Sequence, residues 1–323
     1  METQARMKAA VIAQPKGARV ENVLRPEPGP GQLRVRLEGC GVCGSNLPVW
    51  EGREGFKYPL AAGAPGHEGW GVVDAVGSGV QGFRPGDRVA TLSNSAFAEY
   101  DVVGTDSAVM LPPSLRGKPF PGEPLGCAMN IFRRSDIHSG QTVAIIGIGF
   151  LGALVTRLAA NAGARVIAIS RRPFALELAR KFGAAECIPM EEHSKIIDRV
   201  KQLTGGKLCD RVIEAVGEQG PLELAAELTR ERGRLIIAGY HQGGPRQVNM
   251  QLWNWRGLDV INAHERDPKS YLEGILMAVA AVSSGRVDPT PLYTHTFKLD
   301  ELNQAFEAMR KRPEGFLKAL VTF

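Results

Sequence analysis

A cysteine pair near the amino terminus is the first stretch whose residue types can perform chemistry. In "GCGVCGSNLPVW", Cys40 and Cys43 are separated by two residues, and Ser45 and Asn46 follow. This spacing is typical of half a zinc clasp or of a redox pair, and one of the cysteines alone can also serve as a metal ligand. Five cysteines in a chain without a recognisable export signal favour reduced thiols or metal ligands over disulfides.

A glycine-rich turn in the middle of the chain is the second such stretch. In "VAIIGIGFLG", Gly147, Gly149 and Gly152 follow an apolar strand and open a helix, and Phe150 and Leu151 lie between them. Glycines at these positions permit a tight turn, close approach of the backbone to a pyrophosphate, and close helix packing. An ordinary strand-to-helix turn is the alternative, but both flanks favour dinucleotide binding, with the helix N-terminus facing the phosphates.

The end of the next strand indicates which dinucleotide is bound. "ARVIAIS" ends at Ser170, and Arg171 and Arg172 follow. A domain that binds NAD carries a carboxylate here to accept hydrogen bonds from the ribose hydroxyls. No carboxylate is present, and two guanidinium groups can bind a 2′-phosphate, so the pattern favours NADP(H) over NAD(H). Two arginines in a solvated turn are the alternative interpretation.

The elements that must position these residues follow two patterns. The first ~120 residues are rich in glycine and proline, with short β-type runs such as "QLRVRLEG" and "GWGVVDAVG", and predict mostly β structure. From about residue 124, apolar strands alternate with amphipathic helices, which is the pattern of a parallel sheet covered on both faces. The tail from Pro268 adds two helices and a final short strand, "LKALVTF".

Composition and charge exclude several classes of protein. A chain of 323 residues with 44% hydrophobic residues is long enough for two domains with buried cores. The formal net charge of +5 is spread along the chain without a long run of like charge, so no nucleic-acid surface is indicated. No apolar stretch reaches about 18 residues and no export signal is recognisable, so we expect a cytoplasmic protein without a membrane partner.

Several motifs together carry a family resemblance. They are "MKAAVI", "GVCGSN", "GHEGWG", "GDRV", "FAEY", "EPL", the glycine-rich turn and "RGRLIIAG". In this order they resemble the medium-chain dehydrogenase/reductase superfamily, specifically its zinc-dependent alcohol and polyol dehydrogenases, which include threonine and sorbitol dehydrogenases. The resemblance implies an α/β protein. It would consist of a GroES-like, β-rich catalytic domain at residues 1–124 and 267–323, and a Rossmann domain with a doubly wound parallel sheet at residues 125–266.

The resemblance also assigns roles to individual residues. It implies that Cys43, His67 and Glu68 hold one catalytic zinc ion, with Glu123 as a fourth ligand or a neighbouring carboxylate. Ser45 matches the hydroxyl that relays the proton of the bound alcohol. Thiolate, imidazole and carboxylate are suitable zinc ligands. A zinc ion with an open position stabilises the alkoxide, from which a hydride leaves more easily.

The chain departs from the family pattern in three places. Asn46 stands where the family has an acid, and Pro48 stands where a histidine is common, so the usual proton route to solvent is in doubt. The stretch "GDRVATLSNSAFAEY" lacks the four-cysteine lobe of many relatives, so one zinc ion is expected rather than two. The segment "NAHERD" places polar groups where relatives border the substrate, where they would contact substrate hydroxyls or simply cap a strand. The candidate substrate contacts are Trp50, His264 and Glu265.

The sequence therefore predicts an NADP(H)-preferring, zinc-dependent alcohol dehydrogenase. It would interconvert a secondary alcohol of polyol, sugar or cyclitol type and its ketone, with that small molecule as its partner. A zinc-free enone or quinone reductase of the same superfamily is one alternative, against which the Cys43, His67 and Glu68 set argues. A non-catalytic protein that binds the cofactor is another. The resemblance to the family also implies a homodimer or a homotetramer.

Overall fold

The computed structural model describes residues 5–323. The strands are β1 (Arg6–Gln14), β2 (Gly17–Leu24), β3 (Gln32–Gly41), β4 (Gly69–Val76), β5 (Arg88–Thr91), β6 (Tyr100–Gly104), β7 (Ala108–Met110), β8 (Thr142–Ile146), β9 (Arg165–Ser170), β10 (Glu186–Pro189), β11 (Cys209–Glu214), β12 (Thr229–Ile237), β13 (Asp259–Asn262), β14 (Tyr293–Lys298) and β15 (Lys318–Thr322). The helices are α1 (Leu47–Glu51), α2 (Gly122–Ser135), α3 (Phe150–Asn161), α4 (Pro173–Lys181), α5 (His193–Thr204), α6 (Gln219–Leu228), α7 (Met250–Arg256), α8 (Pro268–Ser283) and α9 (Leu302–Lys311). Within residues 5–323, none of these helices has the length and apolar character needed to cross a membrane.

The chain divides into two compact units. One contains the chain up to Gly126 and again from Asp267 to Phe323, and the other runs from Cys127 to Arg266. The first change of unit falls inside α2. The domain boundaries predicted from the sequence lie within two residues of this division.

The first unit is rich in β structure. β1 and β2 form an antiparallel hairpin, and a seven-stranded sheet has the order β14-β15-β3-β4-β5-β7, with β6 pairing with β3. Alternate residues of β3, namely Leu33, Val35 and Leu37, are buried, as expected for a strand with one face on a core. Phe306 of α9 fills this core, with its ring centroid 5.7 Å from that of Phe97. The predicted β-rich domain is confirmed.

The second unit is a doubly wound parallel sheet. Its six strands have the order β10-β9-β8-β11-β12-β13, and every neighbouring pair is parallel. Val143 to Ile146 of β8 are fully buried, because helices cover both faces of such a sheet. The strand order reverses direction between β8 and β11, and ligands of this fold bind outside the carboxyl ends of the strands at such a point. The predicted α/β class is confirmed.

Candidate active site

A short 3-10 turn presents Cys43. β3 ends at Gly41, and the turn Gly44–Asn46 leads directly into α1. The backbone N–H of Cys43 donates to Oδ1 of Asn46 at 3.0 Å, which ties the start of the turn to its end. Asn46 is only 1% exposed, so its amide must satisfy its hydrogen bonds inside the protein. The turn is therefore held by the residue that replaces the family's acid.

His67 is oriented by the same amide. Nδ1 of His67 lies 3.0 Å from the carbonyl oxygen of Pro65, and Nδ2 of Asn46 donates to that oxygen at 3.0 Å. Because a carbonyl only accepts, Nδ1 of His67 carries the proton and Nε2 is left for a metal. Asn46 thus helps to position two candidate ligands without adding a negative charge. It fixes the backbone that carries Cys43, and it shares the Pro65 carbonyl oxygen with the ring of His67.

Three of the predicted ligands come together. Ligand atoms of Cys43, His67 and Glu68 all lie within 4.8 Å of one another. His67 and Glu68 immediately precede β4, and Cys43 follows β3, which pairs with β4. A thiolate, an imidazole and a carboxylate at this separation form a donor set that suits zinc.

A lysine that the sequence analysis missed is paired with Glu68. Nζ of Lys318 lies 2.6 Å from Oε1 and 2.5 Å from Oε2 of Glu68, whose side chain is fully buried. Burial alone would lower the pKa of Lys318, but the negative charges of Glu68, Cys43 and Glu123 raise it above its usual value. Lys318 therefore stays charged. The available signal was a lone lysine in the apolar strand "LKALVTF", since lysine is almost never buried without a partner.

Glu123 lies within electrostatic reach of the cluster. Burial opposes protonation of His67, but a hydrogen bond with Cys43 and the charges of Cys43, Glu123 and Glu68 raise the pKa of His67 to about 10. Glu123 is in the first turn of α2 and is half-buried. Its carboxylate is outside the group of three clustered ligand atoms, so its role as a ligand stays a prediction.

Ser45 and Trp50 have different surroundings. Ser45 is in the turn directly after Cys43 and is half-buried. Trp50 is 3% exposed, its Nε1–H donates to Oδ1 of Asn303 at 3.0 Å, and its ring centroid lies 5.6 Å from that of Phe306. These contacts place Trp50 in the core of the β-rich unit. They do not support the substrate contact predicted for it.

The glycine-rich turn has the geometry expected of a phosphate-binding turn. Gly147 has φ 96°, and a Cβ atom on Gly152 would lie 2.0 Å from the carbonyl oxygen of Gly147. Gly149 precedes α3, whose first residues are Phe150 and Leu151, and a Cβ atom on Gly149 would meet nothing within 4 Å. Gly147 and Gly152 are thus required by backbone packing, whereas Gly149 leaves space beside the N-terminus of α3.

The residues after β9 lie beside this turn. Ser170 ends β9, and its Oγ accepts from the backbone N–H of Arg172 at 3.3 Å. Nη2 of Arg172 donates to the carbonyl oxygen of Ile148 at 3.1 Å, and its Cζ lies 5.0 Å from the ring centroid of Phe174. Arg171 is exposed. One arginine is thus held against the glycine-rich turn and the other extends into solvent.

His264 and Glu265 follow the carboxyl end of β13. Nε2 of His264 lies 3.1 Å from the carbonyl oxygen of Gly239, so it carries the ring proton and Nδ1 is an acceptor. Oε1 of Glu265 lies 3.5 Å from Nη1 of Arg134, so the two residues form a long ion pair. Both residues lie at the ligand-binding edge of the parallel sheet.

Removing Lys318 tests the buried ion pair. Lys318→Met leaves the Glu68 carboxylate buried without its cation, so we expect the free energy of unfolding of chelator-treated protein to fall by about 3–5 kcal/mol. The double variant with Glu68→Gln should recover most of this loss, because no unpaired charge remains. Urea unfolding measures all the variants, with Lys311→Met on the exposed face of α9 as the control. Strictly additive single and double effects would contradict the pairing.

Metal binding is expected to depend on pH through His67. With a pKa of about 10, the ring carries an extra proton at pH 7–9 in the metal-free protein, and that proton must leave before Nε2 can bind a metal. Zinc affinity should therefore rise at least about tenfold per pH unit over this range. Competition with a chromophoric chelator at three pH values measures the slope. A slope near zero would show that no proton is displaced.

Two family models match the chain. The alcohol dehydrogenase GroES-like domain matches residues 29–118, and the zinc-binding dehydrogenase domain matches residues 151–279. Together the two matches span more than half of the chain. They correspond to the β-rich unit and to the parallel-sheet unit described above.

Individual relatives agree with these matches. The chain is 28% identical to human sorbitol dehydrogenase, with 93% of this chain and 92% of the relative covered. It is 26% identical to sorbitol dehydrogenase of Halalkalibacterium halodurans, with 88% and 91% covered. Among solved structures, a zinc-binding dehydrogenase candidate from Sinorhizobium meliloti, bound to NADP, is 26% identical with a TM-score of 0.83, and 99% of this chain and 100% of that chain are covered. The chain therefore belongs to the medium-chain dehydrogenase/reductase superfamily, in its zinc-dependent alcohol and polyol dehydrogenase branch, and is an oxidoreductase that acts on alcohols.

Proposed function

We propose that the protein is a zinc-dependent, NADP(H)-preferring dehydrogenase that interconverts a secondary alcohol of polyol, sugar or cyclitol type and its ketone. The observation that carries this proposal is the convergence of Cys43, His67 and Glu68 within 4.8 Å. A superfamily reductase that works without a metal has no need for three such donors, so the cluster disfavours the enone or quinone reductase alternative. The similarity to sorbitol dehydrogenases supports the polyol class of substrate.

The residues of the cluster have distinct proposed roles. Cys43, His67 and Glu68 would hold the zinc ion, with Glu123 as a fourth ligand or a neighbouring carboxylate. When bound, the zinc ion acts as a Lewis acid that polarises the alcohol oxygen. Lys318 compensates the buried charge of Glu68. The ammonium group limits the negative charge that the thiolate and carboxylates accumulate around the site.

The proton of the substrate hydroxyl needs an acceptor in this chain. Ser45, in the turn directly after Cys43, is the proposed first member of the relay. Neither Asn46 nor Pro48 has a group that titrates, so neither can continue the relay. Glu123 is the proposed final acceptor, because its carboxylate lies close enough to the cluster to raise the pKa of His67 and a carboxylate can act as a general base.

The cofactor preference rests on the turn after β9. The absence of a carboxylate at Ser170 removes the group that would repel a 2′-phosphate, and Arg171 and Arg172 supply two guanidinium groups. Arg172 is held beside the glycine-rich turn by its bond to Ile148. The exposed Arg171 has its donors available to a ligand. The NADP bound to the Sinorhizobium meliloti relative supports the same preference.

Substrate recognition is proposed for His264 and Glu265. The bond of His264 to Gly239 leaves Nδ1 as an acceptor, which can take a hydrogen bond from a substrate hydroxyl. Glu265 offers a second acceptor of hydroxyl protons. Two acceptors at the ligand-binding edge of the sheet suit a substrate with several hydroxyl groups.

Metal content and turnover test the proposal together. The purified protein should contain close to one zinc ion per chain and oxidise members of a panel of polyols, sugars and cyclitols. Cys43→Ala should lose the metal and the turnover while NADP(H) binding remains, because the ligands and the glycine-rich turn belong to different units. Cys40→Ala is the matched control in the same motif, and it should keep its zinc. Two zinc ions per chain, or turnover without zinc, would refute the assignment.

Cofactor preference is tested at Arg171. Arg171→Ala should weaken NADP(H) binding about ten- to a hundredfold, the equivalent of a charge-assisted contact of roughly 1.5–3 kcal/mol, and should leave NAD(H) binding unchanged. Titration of each variant with both cofactors measures the difference. Arg180→Ala, an exposed arginine in the last turn of α4, is the control. Equal or better efficiency of the unmodified enzyme with NAD would show that the preference is wrong.

A further inference from the structure

A buried chain of hydrogen bonds begins at the carboxyl end of β11. Glu214, the last residue of this strand, has no exposed surface. Its Oε1 accepts from the backbone N–H groups of Val216 at 2.7 Å and Gly217 at 2.8 Å. Its Oε2 lies 3.1 Å from Nε2 of His241, in the loop after β12. The carboxylate therefore joins two successive loops at the ligand-binding edge of the sheet.

Arg246 completes the chain of contacts on the other side of the histidine ring. Its Nε–H donates to Nδ1 of His241 at 3.0 Å, and its Nη2 donates to the carbonyl oxygen of Gly217 at 3.1 Å. A guanidinium group can only donate, so Nδ1 is an acceptor and the ring proton is on Nε2, facing Glu214. Both ring nitrogens are engaged within the protein, which leaves neither for proton transfer to a substrate.

The two loops touch at the level of the backbone. A Cβ atom on Gly217, which has φ 86°, would lie 2.6 Å from the carbonyl oxygen of Tyr240. A Cβ atom on Gly239 would lie 2.2 Å from the backbone nitrogen of Gly217. The backbones of the two loops are therefore in contact, and the N–H groups of Ala238 and Gly239 donate to the carbonyl oxygen of Glu214 at 2.8 Å. The side-chain hydrogen bonds of Glu214, His241 and Arg246 add to this backbone link.

The loop after β11 also touches the glycine-rich turn. A Cβ atom on Gly147 would lie 2.5 Å from Cγ2 of Val216 and 3.1 Å from the carbonyl carbon of Ala215. The reversal of strand order lies between β8 and β11, so these two loops flank the place where a dinucleotide crosses the sheet edge. One half of the sheet consists of β8, β9 and β10. It carries the glycine-rich turn and the residues after β9, Ser170 to Arg172, which are proposed to bind the adenosine part. The β11, β12 and β13 half is left for the nicotinamide mononucleotide.

We propose that Glu214, His241 and Arg246 form a positioning network that fixes residues 215–217 against the glycine-rich turn and so shapes the nicotinamide side of the cofactor site. His241 is a positioning residue, because it acts through Glu214 and not on the reacting atoms. The inference rests on the proposed function in one respect, which is that the ligand is a nicotinamide dinucleotide. It holds for NAD(H) as well as for NADP(H).

Two substitutions of His241 test the network in the full chain. Glutamine can donate to Glu214 and accept from Arg246, whereas phenylalanine can do neither. We expect His241→Phe to weaken NADP(H) binding about tenfold and to change the binding of 2′,5′-ADP, which lacks the nicotinamide part, by less than about twofold. His241→Gln should bind both ligands as the unmodified protein does. His138→Phe, an exposed histidine before the amino end of β8, is the control.

The outcomes separate this inference from the proposed function. Equal binding of NADP(H) by His241→Phe and the unmodified protein would refute the proposed role of the network. An equal loss of affinity for NADP(H) and for 2′,5′-ADP would refute it as well. If His241→Phe does not fold, Arg246→Met takes its place, because it keeps Glu214 and His241 and should show the same selective loss. An unmodified protein that prefers NAD(H) refutes only the cofactor preference, and the comparison is then made with NAD(H) and ADP. Binding of neither dinucleotide would refute both proposals.

Discussion

Burying the carboxylate of Glu68 imposes the constraint on which the rest of the candidate active site depends. An isolated carboxylate without exposed surface costs several kcal/mol, so a cation must be supplied beside it. Lys318 supplies that charge from β15, near the carboxyl end of the chain. β15 pairs with β3, which leads to Cys43, so the return of the last strand to the first unit brings the counter-charge to the candidate ligands. The β-rich unit is built from two segments of the chain, and the second segment supplies the Lys318 charge that balances Glu68 in the first.

A neutral side chain orients the candidate ligands beside the charged Glu68–Lys318 pair. Asn46 orients Cys43 and His67 through an amide, where the family pattern has a carboxylate. A neutral amide adds no negative charge beside the carboxylates of Glu68 and Glu123, while its oxygen and nitrogen still satisfy buried backbone groups. In the parallel-sheet unit, the carboxylate of Glu214 accepts hydrogen bonds from backbone N–H groups, and the ring of His241 links it to Arg246.

Much of this protein was predictable from local sequence. The alternation of apolar strands and amphipathic helices indicates a parallel sheet, because burial on both faces requires continuous apolar strands. Gly147 and Gly152 are identifiable because no other residue fits their backbone geometry. The candidate ligands Cys43, His67 and Glu68 were recognisable through their motifs, and in the structure their donor atoms lie within 4.8 Å of one another. In each case the signal lies within a few neighbouring residues.

Contacts between distant residues were decided by the tertiary structure. Nothing near Glu68 in the sequence identifies Lys318 as its partner, and Trp50, predicted at the substrate, lies in the core through contacts with Asn303 and Phe306. The strand and helix patterns, the glycine-rich turn and the types of candidate ligand can be read from neighbouring residues, because they depend on local periodicity and backbone sterics. Which buried charge meets which counter-charge was decided only by the fold, because electrostatic pairing and packing depend on distance in space and not on separation along the chain.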